Sequence, residues 1–195
     1  MPSLSHCCDL YDKFKFESLC VDIETASFDG PISVLGLFKP KEGVIDCKQL
    51  IKDKDLTHNN VKEVFKNIKL LITYNGISHD IPKIKFEFPG VLPDNIPVLD
   101  LYSLAKEFGL GTDLKTLEGT FGVDRFQDHS KWKRQAIANW NRHKRGDKYA
   151  LNKLLDYNKD DCVNLYLLAE QLVPLARQMA NGKSYVRPVI KKNTF

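Results

Sequence analysis

The pattern of hydrophobic and polar positions predicts a sheet-rich first half of the chain. Three apolar runs, separated by turn-forming residues, are typical of strands in an antiparallel meander. Two later runs are short and apolar, which favours buried strands. The predicted strands are 18–25, 31–38, 43–47, 70–75 and 96–101.

Apolar residues at helical spacing follow and interleave with the later strands. The predicted helices are 58–68, one that begins near Pro82, 101–109, 113–122, 130–145 and 149–179. Pro174 should kink or interrupt the last of them, because proline lacks the backbone N–H that a helix needs. Strands first, then helices alternating with strands, predict an α/β fold in which helices flank a mixed sheet.

Acidic residues stand at special positions in three of these elements. Asp22 and Glu24 are two apart on a strand, so they project from the same face. Asp80 comes at the carboxyl end of a buried strand or the start of the next helix, where open α/β sheets bind ligands. Tyr157 and Asp161 are four apart and share a helical face. If these elements pack together, the four carboxylates form one cluster.

Such a cluster points to a metal centre. Carboxylate oxygens are ligands for hard divalent cations such as Mg²⁺, which also keep waters and phosphates in their coordination shell. Two ions about 3.5–4 Å apart can activate a water and stabilise the leaving oxygen in phosphodiester hydrolysis. For each acid the alternative is a solvated strand end or a helix cap.

Three segments carry a resemblance to a known family. "DIET" (22–25), "YNGISHDIP" (74–82) and "YNKDD" (157–161) resemble, in order, the three exonuclease motifs of the DEDD superfamily, in its tyrosine-bearing branch. The chain is similar to the proofreading domains of family B DNA polymerases and more similar to stand-alone YprB-like domains. The resemblance implies a ribonuclease H-like fold, 3′→5′ exonuclease activity and two Mg²⁺ or Mn²⁺ ions. The implied partner is nucleic acid, either single-stranded DNA or RNA with a 3′ end.

The resemblance also implies a role for each motif residue. Asp22 would bridge both metals, and Glu24 and Asp161 would hold the metal on the side of the nucleophile. Asp80 would hold the second metal, largely through water. Tyr157 would orient the attacking water or help to deprotonate it.

Other residues near the motifs are candidates for substrate contact. Asn75 would position the terminal nucleotide, and Thr25 closes the first motif. His79 replaces the aromatic residue that the family usually has before the second-motif aspartate. Asp100 ends a predicted strand and either joins the site or caps a helix. The segment 114–118, "LKTLE", also resembles a YprB-like segment, without an assigned role.

Charge adds a candidate surface for nucleic acid. The net charge is +4, and basic residues concentrate in 125–148. Within it, Lys131, Trp132, Lys133 and Arg134 combine phosphate-binding cations with an aromatic ring suited to base stacking. The alternative is a solvated charged helix whose tryptophans pack against the body of the protein.

Length and composition fit one ordinary globular domain. The chain has 195 residues, 43% of them hydrophobic and 28% charged, and ends in a basic tail, 182–195. It has no apolar run of about 18 residues that would span a bilayer and no secretory signal, so we expect a cytoplasmic protein. Its five cysteines are odd in number and form no CxxC pair, which favours reduced thiols over a zinc site.

Other functions remain open on the sequence. A structure-specific endonuclease could use the same metal site, and a catalytically silent nucleic-acid-binding module could keep the same fold. His79 with Asp80 also suggests an HD-type phosphohydrolase, but His58 and His129 have no matching context.

Overall fold

A mixed sheet organises the chain. The structure, a computed structural model, describes residues 4–41, 47–111, 113–125 and 135–182. Its strands are β1 (Ser18–Thr25), β2 (Ile32–Phe38), β3 (Cys47–Ile51), β4 (Leu70–Thr73) and β5 (Val98–Asp100). Their order in the sheet is β3-β2-β1-β4-β5. The first three pair antiparallel, and β4 and β5 run parallel to β1, so the predicted α/β fold with a mixed sheet is confirmed.

Helices lie against this sheet and connect its strands. They are α1 (Leu4–Phe14), α2 (His58–Phe65), α3 (Asp80–Glu87), α4 (Leu101–Glu107), α5 (Leu114–Phe121), α6 (Ala136–Lys144) and α7 (Lys148–Ala180). A single 3-10 turn, Lys15–Glu17, joins α1 to β1. Of the predicted helix 130–145, the part before residue 135 lies outside the described residues.

Two sequence predictions about element bounds were wrong. The third strand continues to Ile51 rather than ending at Cys47, because Leu50 and Ile51 are its core-facing residues. Positions 43–46 of the predicted strand lie outside the described residues. The interruption predicted at Pro174 is wrong, because the last helix continues to Ala180, while a kink at Pro174 stays a prediction. The turns around Pro174 are held by their packing, since the neighbours on both sides of it are buried in the core. These neighbours are Leu172, Val173, Leu175 and Ala176.

The alternation of side chains along β1 divides the core in two. Leu19 and Val21 pack in a cluster with residues of α2 and α3. Cys20 points the other way and packs in a cluster with Cys162 and other residues of α7. Because successive strand residues face opposite sides, the positions after Cys20 on its side are those of Asp22 and Glu24. The period of the strand therefore directs both acids towards α7.

Gly36 lets α7 approach the sheet closely. It lies on β2 directly beside Asp22 of β1. A Cβ atom at this position would lie 2.2 Å from Oδ1 of Asn158 and 2.6 Å from Sγ of Cys162. Both distances are far below van der Waals contact, so any side chain here would push α7 away from β1. The missing side chain thus sets the distance between the two elements that carry the candidate site.

None of the helices in the described residues combines the length and apolar character required to cross a membrane. The five cysteines form no disulfide among the described residues, and three of them, Cys8, Cys20 and Cys162, are buried.

Candidate metal centre

Three carboxylates meet between β1 and α7. Asp22, Glu24 and Asp161 each offer one oxygen, and these oxygens all lie within 4.8 Å of one another. Asp161 is buried, while Asp22 and Glu24 are partly buried. The strand period and the position of Asp161 on α7 together produce this convergence.

Asp80 lies beside the three without belonging to their tight group. It is the first residue of α3 and is only 8% exposed. Its Oδ1 accepts a hydrogen bond of 3.0 Å from the backbone N–H of Ile23, the residue between Asp22 and Glu24. The start of α3 is thereby tied to β1, and a fourth carboxylate is fixed at the edge of the cluster.

The pKa values of these acids reflect burial and mutual repulsion. Burial, reinforced by the charges of neighbouring carboxylates, raises the pKa of both Asp22 and Glu24 well above the ordinary range. Burial also raises the pKa of Asp80 to about 6, although the hydrogen bond from Ile23 opposes the shift. The pKa of Asp161 rises to about 7, again through burial, with Arg125 opposing the shift. A bound cation would relieve the repulsion that these shifts express.

Asn158 and Gln49 hold the side chain of Asp22 in place. Asp22, Gly36 and Gln49 lie side by side on β1, β2 and β3. Asn158 of α7 sits over Gly36 and donates to Oδ2 of Asp22 at 2.8 Å. Its own Oδ1 accepts a 2.8 Å bond from Nε2 of Gln49, which fixes the orientation of the amide. Sequence reasoning missed Asn158 and Gln49, although Asn158 lies within the third motif.

Asp161 has a cationic partner. Nη2 of Arg125 donates to Oδ1 of Asp161 at 2.6 Å, and the side chain of Arg125 is only 9% exposed. Arg125 also binds Glu118 through Nε at 2.7 Å and Nη2 at 3.0 Å. The sequence showed Arg125 only as one of many basic residues and gave "LKTLE" no role. Glu118, the last residue of that segment, is a buried anchor for the arginine.

Tyr157 lies next to the same two residues. The guanidinium carbon of Arg125 is 5.2 Å from the centre of its ring. The Tyr157 side chain is hydrogen-bonded to Asp161, and burial together with the nearby carboxylates raises the pKa of its hydroxyl. The hydroxyl therefore stays protonated at neutral pH and acts as a hydrogen-bond donor.

The candidate substrate residues lie next to the acids in sequence, in the loop between β4 and α3 and at the end of β1. Asn75 follows β4 in the left-handed region, with φ of 58°, and its Nδ2 is 3.1 Å from Nδ1 of His79. Thr25 ends β1 and is paired with Ile32, where the register between β1 and β2 shifts.

Asp100 holds the loop between β4 and α3 instead of joining the cluster. Its Oδ1 accepts hydrogen bonds from the backbone N–H groups of Tyr102 and Ser103, so it caps α4. The same carboxylate accepts bonds from the backbone N–H groups of Asn75 at 3.0 Å and Ile77 at 3.1 Å. The helix-cap interpretation is confirmed, and the cap also fixes the loop that leads to Asp80.

The basic segment is described only in part. Lys131, Trp132, Lys133 and Arg134 lie outside the described residues, as does most of the tail 182–195. Trp140 is 3% exposed and packs with Val34, Ile51 and Leu154, as expected for a core residue.

The donor set fits a hard divalent cation. Oxygen atoms of three carboxylates converge, a fourth carboxylate lies beside them, and the raised pKa values of Asp22 and Glu24 show that burial and mutual repulsion oppose their ionisation without a cation. Mg²⁺ and Mn²⁺ prefer such ligands, whereas zinc favours nitrogen and sulfur.

We expect the metal-free protein to lose stability as the pH rises from about 5 to about 8. Asp80 and Asp161 have folded-state pKa values of about 6 and about 7, above the ordinary value of 3.8. A raised folded-state pKa means that the folded chain binds the proton more tightly than the unfolded chain. Its stabilising effect is complete below the ordinary pKa and disappears as the pH rises through the raised pKa. Melting temperatures in EDTA across this range should fall, and Asp80→Asn should flatten the slope; a rising melting temperature would contradict this.

Comparison with known families agrees with this architecture. A family profile of the RNase H superfamily matches residues 19–173, which include all four carboxylates, Asp22, Glu24, Asp80 and Asp161. A search of curated proteins finds no match. Because the profile covers most of the chain, from the first core residues of β1 to the last turns of α7, the chain belongs to the RNase H superfamily.

Proposed function

We propose that this protein is a metal-dependent 3′→5′ exonuclease of the tyrosine-bearing DEDD type, similar to YprB-like domains. We propose also that it acts in the cytoplasm. It would release 5′-mononucleotides from the 3′ end of single-stranded DNA or RNA. The observation that carries the proposal is the meeting of Asp22, Glu24 and Asp161 within 4.8 Å in a chain of the RNase H superfamily. Nuclease chemistry on nucleic acid is typical of that superfamily, and the exonuclease type rests on the three motifs.

The four acids would hold two divalent cations. Asp22, Glu24 and Asp161 suit one ion, and Asp80 together with Asp22 suits the second. When bound, Mg²⁺ or Mn²⁺ would supply a Lewis acid that activates water and neutralises the charge developing on the phosphate.

The chain itself would orient the reactants. Asn158 keeps Asp22 from rotating, and Arg125 does the same for Asp161. The protonated hydroxyl of Tyr157 would form a hydrogen bond with the attacking water and so align it. It would not remove a proton from that water. Preorganised donors of this kind lower the barrier because they do not have to reorient during the reaction.

Substrate contacts would come from the surrounding loops. Asn75, His79 and Thr25 would contact the terminal nucleotide. Lys131, Trp132, Lys133 and Arg134 would extend the track along the strand through phosphate binding and base stacking.

A cleavage assay tests the proposal. The purified protein is incubated with 5′-labelled single-stranded DNA or RNA, and with circular single strands, in Mg²⁺, Mn²⁺ or EDTA. We expect a ladder that shortens one nucleotide at a time from the 3′ end, with no cleavage of circles and none in EDTA. Cleaved circles would identify an endonuclease instead. Binding without cleavage of any substrate would identify a silent binding module.

A further inference from the structure

Arg125 joins two carboxylates of which only one belongs to the metal centre. It bonds Asp161 at 2.6 Å and holds Glu118 with two further bonds, of 2.7 Å and 3.0 Å. Glu118 is not among the carboxylates that converge on the cluster in the described residues. Its role is therefore towards the arginine and not towards a cation.

Glu118 is itself fixed between two helices. It lies on α5, is 2% exposed, and accepts a 3.0 Å hydrogen bond from Nδ2 of Asn164 on α7. Arg125 follows α5 by a few residues, and its side chain returns to lie under α7. The result is a rigid chain of contacts from Asn164 through Glu118 and Arg125 to Asp161. A flexible surface arginine has no such support.

The orientation of the Arg125 guanidinium leaves one of its hydrogen-bond donors without a partner in the described part of the chain. Nη1 of Arg125 is buried and has no hydrogen-bond partner among the described residues. A buried donor without a partner is costly, so an ion pair selected only for stability would satisfy it. The guanidinium is instead turned so that Nη2 meets Asp161 while its plane lies near the ring of Tyr157.

We propose that Arg125, anchored by Glu118, is a positioning residue that fixes the carboxylate of Asp161 in its orientation towards Asp22 and Glu24 and so determines the affinity for divalent cations. The inference rests on the proposed function, because it requires the cluster to bind a metal. Carboxylates that bind metals are commonly held by hydrogen bonds from outside the coordination shell, and loss of such a partner typically costs about 10–100-fold in metal affinity or activity.

Two variants that conserve charge separate orientation from electrostatics. Arg125→Lys keeps the positive charge but cannot form the fork that joins Glu118 to Asp161. The double variant Glu118→Leu with Arg125→Met removes one charge of each sign, so the net charge around the cluster is unchanged. It also removes Glu118 together with Arg125, so that Glu118 is not left as a buried charge without its partner.

The matched control is Arg177→Lys. Arg177 lies on the same helix as Asp161, sixteen residues further along, which is a distance of about 24 Å. It forms an ion pair with Asp12 of α1. It offers the same change of side chain at an arginine–aspartate pair far from the cluster.

The experiment is calorimetric titration with Mn²⁺, together with cleavage rates of 5′-labelled single-stranded DNA over a range of Mn²⁺ concentrations. We expect the Mn²⁺ dissociation constant to rise about 10–100-fold in Arg125→Lys and in the double variant, but not in Arg177→Lys. Cleavage by both should recover towards the wild-type kcat as Mn²⁺ saturates, with KM for DNA unchanged.

Wild-type Mn²⁺ affinity in both variants would overturn the role of Arg125 while leaving the metal centre intact. A cleavage defect that saturating Mn²⁺ does not relieve would also overturn it, because the defect would then not arise from weakened binding of the metal. A wild-type protein that neither binds Mn²⁺ nor cleaves DNA would overturn the proposed function and this inference with it.

Discussion

Asp22→Asn and Asp161→Asn should each abolish hydrolysis of nucleic acid. Both residues contribute an oxygen to the group that lies within 4.8 Å, and asparagine keeps the shape of the side chain while removing its charge. The loss should exceed the about 10–100-fold change expected for partners outside the coordination shell. The measurement is cleavage of 5′-labelled single-stranded DNA and RNA in Mg²⁺ and in Mn²⁺.

The melting temperatures of these variants should show whether a loss of cleavage comes from the altered site or from an unfolded protein. In EDTA, Asp22→Asn should melt at or above the wild-type temperature, because repulsion within the cluster is relieved. Asp161→Asn should gain less, since Arg125 loses one of its two charged partners. Asp94→Asn is the control, because Asp94 is fully exposed and is not among the carboxylates that converge in the described residues. If either cluster variant cleaves like the wild type, the site has been misassigned.

Tyr157→Phe should lower kcat by about 10²–10³-fold, the usual cost of losing one preorganised hydrogen-bonding group, with little change in KM. The ring stays against Arg125, so packing survives and only the hydroxyl is lost. The raised pKa of this hydroxyl makes it a donor throughout the neutral range. The pH profile of the variant should therefore run parallel to that of the wild type, lowered at every pH.

Steady-state kinetics on labelled single strands test this prediction, with Tyr149→Phe as control. Tyr149 is 79% exposed near the start of α7, so loss of its hydroxyl should leave kcat unchanged. If Tyr157→Phe cleaves at the wild-type rate, Tyr157 is a packing residue and its hydroxyl has no role in aligning water.

The elements that carry the four acids could be predicted because local pattern determines them. The two-residue spacing of Asp22 and Glu24 fixes their common face once β1 is a strand, and Asp80 does begin a helix after β4. Tyr157 and Asp161 share a face of α7 through the helical repeat. Each of these relations depends on neighbours within one element.

The contacts that support the acids could not be predicted, because they join elements distant in the chain. Arg125, which Glu118 holds, reaches Asp161 only after α5 packs on α7, and Gln49 reaches Asn158 only across the sheet. Gly36 shows no local sign of its role, which is to admit a helix more than 100 residues later.

The N-terminal helix also depends on tertiary packing. No helix was predicted over Leu4–Phe14, a short segment that contains two adjacent cysteines and several polar residues. Its stability comes from contact with α7: Cys8 donates to the carbonyl of Val173, and Tyr11 binds Glu170. The continuation of α7 through Pro174 has the same origin, since its last turns are part of that interface.

Calorimetric titration of the wild-type protein and Asp22→Asn with Mn²⁺ tests most directly whether the carboxylate cluster is a metal centre. Saturable binding of about two Mn²⁺ ions per wild-type chain is expected. It should be accompanied by a rise in melting temperature, because a ligand that binds only the folded state stabilises it. Asp22→Asn, which alters the residue shared by both proposed ions, should lose this binding. An absence of saturable binding to the wild type, or equal binding to the variant, would contradict the assignment of a metal centre to Asp22, Glu24 and Asp161.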